Sequence, residues 1–221
     1  LSIVFVLVSA LIHSSWNFIT KRGNWPGEFF FWVFLLGIVL YLPFFISSSA
    51  FPSFVIHASP KLWGLTICSG FFETVYFICL IEAYRGGDLS LVYPISRSAP
   101  LFTQVWAIFF IGEILSRRGI GGILLVMIGL FVISLKNFRI AHALPEASHF
   151  TSRPYLLALT AAVASSIYSV IDKVGVQMVH PVFYIWFINL WMAAFMGFYL
   201  ILWRKTSFRK VWNESRREIL L

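Results

Sequence analysis

The chain has 221 residues, of which 59% are hydrophobic and 12% charged, and its mean hydropathy is +0.85. A soluble domain carries about 25% charged residues, so half the usual charge cannot coat a water-exposed surface of this size, and most of the chain must meet lipid. The net charge of +8 does not point to nucleic acid, because the basic residues fall in short breaks between apolar runs rather than along one folded surface.

Crossing the hydrocarbon takes roughly 17–25 apolar residues. About seven runs qualify: Leu1–Ile19, Phe29–Ile46, Leu62–Ala83, Leu89–Ile111, Gly119–Leu135, Pro154–Ile171 and Pro181–Trp203. Such long, continuous runs must satisfy their own backbone, which helices do; barrel strands would be shorter and alternating. The expected fold class is therefore an all-α polytopic membrane protein.

The breaks carry their own signals. Lys21 to Gly27 mixes charge, Gly and Pro and ends the first run. Arg85-Gly86-Gly87-Asp88 predicts a very tight hairpin between the third and fourth spans. Ser116-Arg117-Arg118 and the longer Lys136–Arg153 stretch separate the next ones, and a basic, mixed-charge segment runs from Arg204 to Leu221. Trp25, Trp63, Trp203 and Trp212 fall at span ends, where interfacial aromatics belong. Ala161, Ser165 and Ser169 form a small-residue face on the sixth span, and Gly122 with Gly129 one on the fifth, spacings that let helices approach closely. Cys68 and Cys79 lie in one run, ~16 Å apart along a helix, too far for a disulfide. Basic residues crowd the odd loops, among them Lys21, Arg22, Arg85, Lys136, Arg139, Arg153, Arg204 and Lys205. The even loops hold Lys61, Arg117, Arg118 and Lys173, so the odd loops are expected in the cytoplasm.

Ionisable groups inside a membrane are expensive and mark functional sites by default. His13 lies well inside the first span, Glu73 mid-way along the third and Arg97 well inside the fourth. At 1.5 Å per residue they reach similar depths, ~13–19 Å below the odd-loop side. Tyr93, Arg97, Pro100 and Gln104 recur at spacings of four, three and four, on one helical face. Pro94 and Pro100 each remove a backbone donor and locally break that helix. The competing structural reading is a Glu73–Arg97 pair that locks spans three and four together. Glu82, Glu113, Asp172 and Lys173 sit near span ends and are expected to mark boundaries. No phosphate loop, zinc-ligand spacing or nucleophile elbow is visible, so no catalytic, cofactor or metal residues are expected.

The chain also contains a faint copy of itself. His13 to Gly23 is similar to Ser165 to Gly175, sharing Ser, an aromatic two residues on, then Lys and Gly at an offset of 173 − 21 = 152. Five spans separate the copies, and an odd number inverts the second across the membrane, a construction principle of secondary carriers.

Ala83-Tyr84-Arg85-Gly86-Gly87-Asp88-Leu89-Ser90-Leu91-Val92-Tyr93-Pro94-Ile95-Ser96-Arg97-Ser98-Ala99-Pro100, followed by Gly112-Glu113 and a Gly-rich fifth span, resembles the third-to-fourth-span signature of the drug/metabolite transporter superfamily, EamA type. Trp16-Asn17 with Lys21 resembles that family's first span, and Tyr168 with Asp172-Lys173 the start of its second repeat. The resemblance implies a ten-helix bundle of two inverted five-helix repeats around a central cavity. The seven spans seen here would then be residues 1–136 as the first repeat, 137–153 as a linker loop and 154–221 as an incomplete second repeat. It also implies an N-terminus inside, against the basic-residue count.

Together these observations predict a carrier in the bacterial inner membrane that moves small organic metabolites, amino-acid-like, anionic or zwitterionic, by alternating access. Its path would be lined by His13, Trp16, Asn17, Glu73, Tyr93, Arg97 and Gln104, with Glu73 and His13 able to exchange protons. Its partners are the lipid bilayer and a small-molecule substrate. The alternatives are a membrane-embedded enzyme and a membrane assembly partner that does not transport.

Overall fold

The computed structural model describes residues 26–47, 59–114, 116–136 and 152–205, with 4, 7–9, 11, 12 and 212 besides. Most of the predicted first span, the first copy of the repeat, the 137–151 stretch and most of the basic segment after Lys205 lie outside the described residues. Among those described there are seven α-helices and no strand, as the long apolar runs require. They are α1 (Pro26–Ser47), α2 (Pro60–Gly86), α3 (Leu89–Ser96), α4 (Ala99–Trp106), α5 (Arg117–Lys136), α6 (Arg153–Gly175) and α7 (Pro181–Tyr199). A π-turn extends α4 over Ala107–Ile111, and another extends α7 over Leu200–Arg204. Four helices are long and apolar enough to cross a membrane by length and composition: Gly27–Phe45, Pro60–Gly86, Arg153–Gly175 and Pro181–Arg204. The chain is an integral, polytopic, all-α membrane protein.

Proline starts these helices for a common reason. The first N–H groups of a helix have no intrahelical partner, so a residue lacking one costs nothing there. Pro60, Pro154 and Pro181 take that place in α2, α6 and α7. Ser59 caps α2 by accepting from the Leu62 amide at 3.2 Å, and His180 Nδ1 accepts from the Val182 amide at 3.4 Å.

The predicted tight hairpin between the third and fourth spans is present. The Gly87 amide donates back to the Ala83 carbonyl at 3.0 Å, and Asp88 accepts from Leu91 and Val92. A Cβ on Gly87 would sit 2.8 Å from Pro154 Cβ, so a bare backbone is needed for α6 to start beside this turn. The predicted fourth span is broken ahead of Pro100, whereas α3 runs on through Pro94, contrary to expectation. Pro100 cannot donate to the Ser96 carbonyl, α3 ends at Ser96, and α4 restarts at Ala99. The Ser96 and Ser98 hydroxyls donate at 2.9 and 2.7 Å to the Tyr93 and Ile95 carbonyls, which also accept the Arg97 and Ser98 amides.

Helix α2 is the centre of the bundle. It packs antiparallel on α6, with Gly86 beside Pro154 at one end and Ser69 beside Asp172 towards the other. Along this seam Ala158 packs with Ala83, and Ala161 and Ala164 pack with Tyr76 and Leu80, all of them buried. The predicted small-residue face is therefore rotated: Ala161 is at the seam, Ser165 half-buried and Ser169 exposed. On its other flank α2 meets α7, which packs against α1 through Phe30, Phe34, Tyr184, Ile188 and Met196. Helices α3 and α4 lie against α6, with Trp106 Nε1 donating to Ser166 Oγ at 2.9 Å. A Cβ on Gly122 or Gly129 in α5 would meet nothing within 4 Å, so these glycines make no close helix contact among the described residues.

The two ends of the bundle differ in charge. Arg85 and Arg204 both bond Glu82, at 3.1 and 3.0 Å, bringing the loops after the third and seventh spans to one side, as alternating spans require. At the other end Lys173 bonds Glu113 at 2.6 Å. Glu82, Glu113 and Lys173 thus mark boundaries as expected.

The closeness of α2 and α7 depends on Gly70, where a Cβ would lie 2.6 Å from Trp191 Cβ. Gly70→Val is expected to destabilise the fold by about 1–3 kcal/mol through overpacking. Gly64→Ala, with nothing within 4 Å, should do no harm. Thermal unfolding of both variants in detergent is the measurement, and equal midpoints would disprove the assignment of Gly70 to a tight contact.

Candidate functional site

Three helices turn their polar residues towards one another inside the bundle. On α2, Ser69, Glu73 and Tyr76 recur at spacings of four and three, one face of a helix. On α6, Ser165, Tyr168 and Asp172 do the same at three and four, and α3 presents Tyr93 and Arg97 one turn apart. Because α2 and α6 run antiparallel, Tyr76 meets Tyr168, with ring centroids 5.9 Å apart and the rings edge to face, while Ser69 meets Asp172.

Arg97 is held by tyrosines. Its guanidinium lies 5.4 Å from the centre of the Tyr93 ring, a cation–π distance. It hydrogen-bonds the Tyr76 side chain and lies within electrostatic reach of Tyr84 and Tyr168. Tyr84 is in turn hydrogen-bonded to Ser96 at the end of α3, and the Ser165 hydroxyl lies 3.3 Å from that of Tyr168. A tyrosine ring packs like an apolar side chain while its hydroxyl can donate and accept. It is therefore a side chain able to surround a guanidinium without adding a second charge.

Glu73 stands one turn along α2 from Tyr76, near Asp172. Its Oε2 is buried and makes no hydrogen bond. The expected Glu73–Arg97 pair is not formed. The ion pairs among the described residues join Glu82 to Arg85 and Arg204 and Glu113 to Lys173, whereas Tyr76 and Tyr168 lie within reach of both Glu73 and Arg97. Similar depth does bring the two groups into one site, whose shared neighbours are Tyr76 and Tyr168.

Asp172 corrects the sequence reading. Expected at a boundary, it accepts hydrogen bonds from the Ser69 hydroxyl of α2 and, at 3.0 Å, from the Tyr184 hydroxyl of α7. It joins three helices. Gly175 makes room for this arrangement, since a Cβ there would collide with the Tyr184 ring. Of the other expected site residues, Tyr93 is 37% exposed at the edge of the cluster. Gln104 lies on α4 past the break, so the four-three-four face does not run continuously to it. His13, Trp16 and Asn17 lie outside the described residues. Among the described residues no group of His, Cys, Asp and Glu could hold a metal ion.

Sequence reasoning missed Tyr76, Tyr84, Tyr184 and Ser69, and gave Tyr168 no place in the site. A signal was present: each intramembrane ion has a tyrosine one turn away, Glu73 with Tyr76, Arg97 with Tyr93 and Asp172 with Tyr168.

Comparison with known proteins places this architecture. The uncharacterized protein MJ1333.1 of Methanocaldococcus jannaschii is 25% identical over 138 residues, which make up 62% of this chain and 98% of that protein. No solved structure matches the chain. A model of the EamA-like transporter family matches residues 1–135, more than half of the chain and inclusive of the Tyr84–Pro100 stretch that brings Arg97 to the tyrosines. The chain belongs to the EamA-like transporter family, membrane transporters of the drug/metabolite superfamily.

Proposed function

We propose that the chain forms the solute path of a secondary carrier for small zwitterionic or anionic organic metabolites, working by alternating access in the inner membrane. The observation that carries this reading is that Arg97 and Glu73 share tyrosine neighbours in one cluster without pairing with each other. A planar guanidinium binds a carboxylate or phosphonate through two parallel hydrogen bonds. The Glu73 oxygen that lacks a hydrogen bond can accept one from an ammonium, or carry a proton across. An amino-acid-like solute would then lie with its acid group at Arg97 and its amino group towards Glu73, stacked among the tyrosine rings. Membership of a family of transporters favours transport over embedded catalysis.

The broken α3–α4 segment supports the same reading, since discontinuous helices beside polar side chains are a recurring feature of carrier sites near the midplane. The family match over 1–135 and the size of the Methanocaldococcus relative support a division into a first unit over 1–136, a linker over 137–153 and a second unit from 154.

Two outcomes follow for the site. Arg97→Lys, which keeps the charge but loses the fork of donors, is expected to weaken solute binding by roughly 1.5–3 kcal/mol, or about 10- to 150-fold. Because Glu73 does not pair with Arg97, the double change Arg97→Ala with Glu73→Ala should fold yet stay inactive. The assay is uptake into proteoliposomes per amount of folded protein, over a panel of amino-acid-like and phosphonate solutes. Wild-type transport by the double variant would remove both groups from the binding role. Separately, Ser69→Ala with Tyr184→Phe strips Asp172 of two donors and is expected to cost about 2–5 kcal/mol of stability, read from thermal unfolding in detergent.

The charged end of the bundle bears on orientation. Arg85, Arg153, Arg204 and Lys205 all lie at the odd-loop end, which we place in the cytoplasm. A reporter active only outside the cytoplasm, fused after Lys205, is expected to stay silent, and activity there would reverse the assignment.

A further inference from the structure

Away from the tyrosine cluster, α2 and α7 part on their outer side and leave an apolar groove of about 570 Å³. Phe71, Val75 and Ile78 line one wall and Phe195, Phe198 and Leu202 the other. The two stripes do not stop at the end of the groove. On α2 the same spacing continues to Glu82 and Arg85, and beyond Leu202 the extension of α7 ends in Arg204 and Lys205. Arg204 reaches across this mouth to Glu82 at 3.0 Å, and Arg153 lies within reach of Tyr199, which also lines the groove. Four cations therefore stand at the mouth against two carboxylates, Glu82 and the buried Glu28. Trp203, 80% exposed, marks the same level as the interface.

From Trp191 to Trp203 the lining runs ~18 Å along α7 and its extension, rather more than half of the ~30 Å hydrocarbon core and so about the depth of one leaflet. An apolar trough of that length with a cationic mouth fits an amphiphile with an anionic head. We infer that it binds one anionic phospholipid, an acyl chain lying between α2 and α7 and the phosphate at Arg204 and Lys205. A free phosphate would use the mouth but leave the trough empty, which is why the lipid is the occupant chosen.

The inference is tested by native mass spectrometry of the 221-residue chain in detergent, titrated with phosphatidylglycerol and with phosphatidylcholine of the same acyl chains. Each basic residue engaged near a headgroup is expected to favour the anionic lipid about fivefold. Lys205→Gln takes part in none of the ion pairs among the described residues and should lower that preference about fivefold. Arg204→Gln added to it should remove the preference while phosphatidylcholine still binds, Arg85 remaining as a partner for Glu82. Ala194→Trp, which fills the trough, should weaken both lipids. Cooperative unfolding in detergent checks that each variant is folded. Equal binding of the two lipids by the unaltered chain, an anionic preference that survives the double change, or a dimer that excludes both lipids would each overturn the inference.

Discussion

Two apolar helices gain little from touching each other in lipid, because the acyl chains they displace are as apolar as they are. What binds α6 to α2 must therefore be close backbone approach and hydrogen bonds made across the seam. Both are present: Ala158, Ala161 and Ala164 are buried against α2, and the Ser69 hydroxyl reaches Asp172. Trp106 and Tyr184 add bonds from α4 and α7 to the same helix. Without this seam, α7 and α1 would have no fixed position relative to α3, and the polar residues of three helices would not converge.

The seam also decides how charge is tolerated in the interior. Asp172 is near the end of its own helix yet opposite the tenth residue of α2, ~13 Å in from that helix's start, so it needs donors from its neighbours and takes two. Arg97 needs acceptors and an electron-rich face, and four tyrosines stand around it. The antiparallel register determines which of these groups meet, since a slip of one turn would set Tyr168 against Phe72 rather than Tyr76.

Much of this could be read before any coordinates. Hydropathy located the four long apolar helices, Pro100 located the break and Gly86-Gly87 the tight turn, because each rests on local physics of a few residues. The depth argument brought Glu73 and Arg97 to one level. It did not determine helix rotation, and rotation decided that Tyr76 would neighbour both. The same blindness misplaced Asp172. Counted along its own helix it is three residues from Gly175, where the helix ends, and only the offset between α6 and α2 makes it interior. The small-residue face failed similarly by one turn: composition shows that a seam exists, while the partner's side chains choose which alanines enter it.

The tyrosine layer has a consequence that a direct ion pair would not. Removing one partner of a buried pair leaves an uncompensated charge, at about 3–5 kcal/mol, and a solute entering between two paired ions would first have to meet that cost. With Tyr76 and Tyr168 within reach of both Glu73 and Arg97, each group has a neutral neighbour able to donate or accept in the solute path proposed above. Tyr76 already bonds Arg97 and lies within reach of Glu73, so a rotation of one hydroxyl can follow the charge from one side to the other. Neutral phenols beside Arg97 are easier to part than a locked ion pair would be, which is the property the proposed alternating access requires.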